Sequence, residues 1–261
     1  MDLELQGKVA VVTGAGRGIG LAITRALAEE GVHVVAGSRR STPELKELGA
    51  RASVRTIEVD LATTTGPAQL ITAALAHGRL DILVNNVGAV APRLTGFLNV
   101  TDEQWHDSLT LNLMAAIRTT RAALPTMLAA GHGNIITISS VNAFLPDPEV
   151  IDYSAAKAAL TNFSKALSKE VGAHGIRVNT ISPGPVNTDL WLGDEGVAAT
   201  VARASGGDPE AVARQAAAQA ETGRFTHPHE IADLVLLLSS DRAGNVTGTD
   251  FVIDGGLTKT L

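Results

Sequence analysis

Apolar residues follow two alternating patterns along the chain. Short unbroken runs, such as VAVVT at 9–13, DILVN at 81–85 and NIITIS at 134–139, give way to longer stretches with apolar positions every three to four residues. The first pattern suits strands buried on both faces, the second amphipathic helices. Strands are predicted at 9–13, 32–37, 53–59, 80–85, 134–139, 176–181 and 251–253. Helices are predicted at 19–30, stopped by Gly31, and at 45–49, 67–77, 101–130, 152–173 and 231–239. Thr101-Asp102-Glu103-Gln104 opens the fourth with a capping signal.

Strands alternating with helices imply an α/β fold of the Rossmann type, doubly wound. A mainly parallel seven-stranded sheet with helices on both faces is expected. No linker, repeat or low-complexity tract interrupts residues 1–261, which read as a single domain. One segment breaks the rhythm. Residues 189–226, rich in Ala, Gly, Gln and Glu, follow the turn Ser182-Pro183-Gly184-Pro185. Short, loosely packed helices forming a substrate lid are expected there, with a variable surface insertion as the alternative.

Composition narrows the chemistry. The absence of cysteine removes disulfides, Cys-ligated zinc and thiol nucleophiles. A formal charge of −6 with no basic run argues against nucleic acid and acidic membranes. The longest apolar stretches, such as 231–238, fall short of the roughly 20 residues that cross a bilayer. Residues 1–8 lack the apolar region of a secretory signal, so a cytoplasmic protein is expected. The histidines have no metal-ligand spacing and no metal is expected; His227-Pro228-His229 reads as a turn opening a helix.

The turn after the first strand reads Thr13-Gly14-Ala15-Gly16-Arg17-Gly18-Ile19-Gly20. Glycines let backbone approach a ligand closely, and the following helix aims its free N–H groups at the loop. Ile19 stands where the common dinucleotide fingerprint has its third glycine. At the end of the second strand the chain reads Gly37-Ser38-Arg39-Arg40, without the carboxylate that NAD sites place there. Arg39, aided by Arg17, suits a 2′-phosphate, so NADP is expected over NAD.

Tyr153, the chain's one tyrosine, precedes Lys157 by four residues, so both share a helix face. Ser140 follows the fifth strand and points toward the crevice at the strands' carboxyl ends. A phenol of pKa about 10 is a poor base near neutrality, and a neighbouring ammonium together with the charge of an oxidised nicotinamide is expected to lower it.

Taken together, Thr13–Gly20, Asn85-Asn86-Val87-Gly88, Asn112, Ser140, Tyr153-x-x-x-Lys157, Pro183-Gly184 and Asp254-Gly255-Gly256 resemble, in order and spacing, the short-chain dehydrogenase/reductase superfamily, 3-oxoacyl-reductase-like branch. The resemblance implies hydride transfer between nicotinamide and a carbonyl or secondary alcohol. Tyr153 would be the acid/base, Lys157 would also hold the nicotinamide ribose, Ser140 would bind the substrate oxygen and Asn112 would support a water chain. Asn86 and Thr188 would touch the cofactor and Asp60 its adenine, with Ser38, Leu61, Gly88, Pro183, Gly184 and Val186 completing that site. Val87 stands where the family usually has Ala. A non-catalytic NADP-binding sensor or scaffold on the same fold is the alternative.

The substrate pocket is expected to draw on 90–93, Asn142, Phe144, Leu145, Val150 and the lid with Trp191. Relatives that reduce thioesters on an acyl carrier often carry basic residues before the fifth strand and after the tyrosine helix. This chain has Gly131-His132-Gly133-Asn134 and Gly172-Ala173-His174 there. The resemblance also implies a homotetramer built through the two long helices.

Overall fold

The computed structural model describes residues 2–51 and 53–260; Met1, part of the stretch read above for a secretory signal, Ala52 and Leu261 lie outside them. The strands are β1 (Val9–Thr13), β2 (His33–Ser38), β3 (Val54–Glu58), β4 (Ile82–Asn85), β5 (Gly133–Ile138), β6 (Ile176–Pro183) and β7 (Asp250–Ile253). They form one sheet in the order β3-β2-β1-β4-β5-β6-β7, parallel throughout. The chain winds one way from β1 and the other way from β4. The crevice between their carboxyl ends is therefore where an open α/β sheet receives a ligand.

Alternation along each strand sorts side chains by face. Ala10 and Val12 of β1 and Val34 and Ala36 of β2 pack under α1 (Gly18–Glu29), α2 (Pro43–Gly49) and, further on in the chain, the helix at Pro228–Ser239. Val11 and Val35 face the other way, against Leu70 and Ala74 of α3 (Gly66–Leu75) and residues of two long helices. Both faces are buried, which is why the strands carry no polar alternation.

The stretch 101–130, expected as one helix, is three pieces. The capping box forms as read: Gln104 N–H donates to Thr101 Oγ1 at 3.3 Å, and Thr101 N–H to Gln104 Oε1 at 3.0 Å. It opens α4 (Asp102–Leu109), which passes through a widened π turn (Thr110–Met114) into α5 (Ala115–Ala130). The widening is centred on Asn112, whose side chain reaches out to backbone beyond its own helix. Such insertions are a common cause of π turns.

α6 (Ile151–Val171) carries Tyr153 and Lys157. The segment after β6 contains α7 (Asp189–Leu192), α8 (Val197–Ser205) and α9 (Pro209–Ala217), short helices as expected. α10 (Pro228–Ser239) begins at His227, whose N–H donates to Glu230 Oε2 at 2.7 Å, so the histidine pair marks a helix start. Strand and helix ends otherwise move by one to three residues from expectation, within ordinary fraying. Among the described residues no helix is long and apolar enough to cross a membrane.

Candidate active site

One cavity of about 1230 Å³ opens along the carboxyl ends of β1, β2, β4, β5 and β6. All the residues expected to bind a dinucleotide line it: Gly14, Arg17, Gly18, Ile19 and Gly20 from the first turn; Ser38 and Arg39 after β2; Asp60 and Leu61 after β3; Asn86 and Gly88 after β4; Tyr153 and Lys157 on α6; Pro183, Gly184, Val186 and Thr188 after β6.

The glycine loop is held by Thr13. Its hydroxyl donates to Val84 O at 3.2 Å and accepts the N–H groups of Asn86 and Val87 at 2.8 and 3.0 Å. The Asn86 amide donates back to Thr13 O and Gly14 O at 2.9 and 3.2 Å. These bonds lock the ends of β1 and β4 together at the switch in strand order. At Gly20 a Cβ would come within 2.2 Å of Gly14 O, so no larger residue fits. Arg17, the residue before α1, offers no side-chain cap, leaving the first-turn N–H groups free toward the cavity. Thr42 Oγ1, unremarked in the sequence reading, donates to Gly16 O at 2.7 Å and also caps α2. Ser38 Oγ donates to Arg40 O at 2.9 Å, shaping the turn that carries Arg39 and Arg40. Arg17, Arg39 and Arg40 are exposed at this end of the cavity. They make no ion pair among the described residues. A glycine-lined wall, a free helix N-terminus and three unpaired guanidiniums fit a phosphorylated dinucleotide.

The opposite wall carries the polar cluster. Lys157 is buried, and its ammonium donates to Ile138 O at the end of β5 at 2.8 Å. It lies 5.6 Å from the centre of the Tyr153 ring. Ser140 Oγ donates to Asn142 Oδ1 and accepts from Asn142 N–H, both at 3.2 Å. Ser139, one residue earlier, pairs instead with Thr161 Oγ1 at 2.6 Å, tying β5 to α6. Asn112 is buried, with its amide on the backbone of the β4 loop and of α4: Oδ1 accepts from Ala89 N–H at 3.0 Å, and Nδ2 donates to Ala89 O at 2.9 Å and to Ser108 O at 3.0 Å. Gly88 separates it from Lys157, for a Cβ there would lie 2.8 Å from Asn112 Oδ1 and 3.6 Å from Lys157 Nζ.

The electrostatics differ from the sequence expectation. Burial pushes the Tyr153 phenol up to about 12, against a smaller opposing effect from its hydrogen bond with Ser140. Burial also brings the Lys157 ammonium down to about 8. Desolvation is the largest cause of both shifts, each toward the neutral form.

The cavity lining departs from the expected substrate wall at Ala91, Arg93 and Phe144. Phe144 does not line the cavity; it follows a single 3₁₀ turn (Val141–Ala143) and is 43% exposed. Arg93 turns away to Asp152, while its neighbours Val90 and Pro92 do line the cavity. Asn142, Leu145, Val150 and Trp191 are in place, and Trp191 packs edge-on against Phe225 at 5.3 Å. The segment 189–226 adds Val201, Val212 and Gln215, and the C-terminal tail adds Leu257.

Comparison with known proteins agrees with this geometry. Residues 8–195 match the family model described as short chain dehydrogenase. The chain is 36% identical over 259 residues to the 3-oxoacyl-[acyl-carrier-protein] reductase FabG of Escherichia coli, covering 98% of this chain and 99% of that protein. It is 37% identical to the short-chain reductase protein NovJ of Streptomyces niveus, over 96% and 94% of the two chains. Among solved structures it is similar to the L-sorbose reductase of Gluconobacter frateurii complexed with NADPH and L-sorbose, with a TM-score of 0.90, 38% identity and full coverage of both chains. The chain belongs to the short-chain dehydrogenase family and is an oxidoreductase of the class that interconverts carbonyl and alcohol groups with a nicotinamide cofactor.

Proposed function

We propose that this protein is an NADPH-dependent reductase of small neutral carbonyl compounds, with Tyr153 as its proton donor. The observation that carries the reading is the single cavity that has the glycine loop and three unpaired guanidiniums at one end and Ser140, Tyr153 and Lys157 at the other. The bound dinucleotide supplies the hydride. Ser140 holds the carbonyl oxygen, and the Tyr153 O–H gives that oxygen its proton as negative charge develops. The phenol is protonated at neutral pH, the form a proton donor needs. Lys157, still charged at pH 7, offers its ammonium to the nicotinamide ribose and stabilises the phenolate left behind. Asn112 braces the loop beside Lys157 and is the residue through which a water chain would return the proton.

Charge along the cavity bears on the substrate. Asp107, Asp147, Glu149 and Asp189 line it, and none is in an ion pair among the described residues. Such a lining repels anions. His132, where carrier-dependent relatives often have a basic residue, lies 3.7 Å from Asp81. Both points favour a neutral substrate, such as the sugar in the L-sorbose reductase structure, over an acyl group on an acidic carrier. The proposal extends to a homotetramer assembled through α5 and α6, supported by the exposed small residues Ala155 and Ala159 on α6.

Tyr153→Phe is expected to bind NADPH with unchanged affinity, followed by nicotinamide fluorescence, and to lose nearly all ketone reduction; substantial turnover removes the assignment. In the wild-type protein the reductive kcat is expected to hold steady below pH about 8 and to fall above it, as Lys157 gives up its charge. A rate that climbs through that region contradicts the role given to the ammonium. For the cofactor, kcat/KM with NADPH is expected to exceed that with NADH, and Arg39→Ala is expected to shrink the ratio about tenfold or more. A preference for NADH in the wild-type protein ends the NADP assignment.

A further inference from the structure

Arg93 and Asp152 form an ion pair that the reaction scheme above does not use. Asp152 is 1% exposed and sits in the first turn of α6, directly before Tyr153. Arg93 donates from Nε and Nη2 to Asp152 Oδ2 at 3.0 and 2.5 Å. The other carboxylate oxygen, Oδ1, accepts the Tyr153 N–H at 3.0 Å. Arg93 also donates its own N–H to Glu149 O at 2.6 Å, just ahead of the helix. Val150, the residue at the start of α6, has no side-chain cap to offer, so the Asp152 carboxylate is the negative charge at this helix end.

The pair belongs to a loop fastened at three points. After β4 the chain is tied to the glycine loop by Asn86, to the π turn by Ala89 and to the start of α6 by Arg93. Between these ties Gly88, Val90 and Pro92 line the cavity. The loop that runs beside the cofactor end is thereby clamped to the helix turn that bears Tyr153.

We propose that Arg93 and Asp152 are positioning residues that set the Tyr153 phenol against Ser140 and Lys157, an inference that rests on the acid/base reading of Tyr153. Neither touches substrate. Their effect is exerted through the backbone of Tyr153 and through the loop that faces it. A buried ion pair is costly to desolvate and is a weak source of net stability. A displacement of the phenol of about 1 Å is enough to cost a large factor in rate.

The test compares Arg93→Lys, Arg93→Met, Asp152→Asn and the double variant Arg93→Met/Asp152→Leu with wild type. The double variant leaves no lone buried charge, so its Tm is expected to recover toward wild type. The proposal expects kcat to fall about tenfold or more in Asp152→Asn, Arg93→Met and the double variant, while the Kd for NADPH stays within about threefold of wild type. Arg93→Lys, which keeps the charge and loses the fork, is expected to fall between. A double variant or Arg93→Lys with full kcat, or a loss of kcat no greater than the loss of folded protein, overturns it. Tyr153→Phe is measured alongside. If that variant keeps its turnover, the acid/base reading fails by itself, whatever the pair does.

Discussion

The site depends on holding one buried ammonium and one half-buried phenol together at the wall of the cavity. Lys157 stays buried because its ammonium donates a hydrogen bond to the carbonyl of Ile138, the last residue of β5, and Tyr153 stands one helical turn before it on α6. Desolvation disfavours the charged form of each. What remains is a protonated phenol beside an ammonium that is easily discharged. That balance suits a group that gives a proton during reduction. It also makes the site sensitive to any change in how α6 meets the sheet.

The rest of the fold serves that contact. A parallel sheet puts all its carboxyl ends on one edge, so the glycine turn, Asn86, Ser140 and Pro183 reach the same crevice from distant parts of the sequence. Thr13 joins β1 to β4 with three hydrogen bonds, where the strand order reverses. Ser139 and Thr161 join β5 to α6. The loop after β4 braces the remaining side, through Asn112 and the Arg93–Asp152 pair. Three guanidiniums and several carboxylates line the same cavity.

Much of this is legible from local pattern. β1 falls on the residues its apolar run marked, and the capping box at Thr101 forms as its spacing requires. The dinucleotide wall follows from glycines and arginines placed at strand ends. What the sequence hides is set by contacts between segments far apart in it. The π turn at Thr110–Met114 is invisible to periodicity, since it arises where Asn112 reaches across to Ala89. Arg93 looks like a pocket residue until Asp152 is seen opposite it. Phe144 looks like an apolar wall, and a single 3₁₀ turn carries it to solvent. The phenol's pKa ran opposite to expectation, because an ammonium four residues away can be counted in a sequence and the depth of burial cannot.

Because Tyr153 is the chain's one tyrosine, labelling tyrosine with carbon-13 at the ring carbon bearing oxygen yields a single NMR signal that reports this phenol alone. Titrated in the protein without nucleotide, that signal is expected to keep its protonated position beyond pH 10, the ordinary phenol value, consistent with a group pushed up to about 12. Ionisation below pH 10 would contradict the account, for it would mean that the lysine, and not burial, governs the proton.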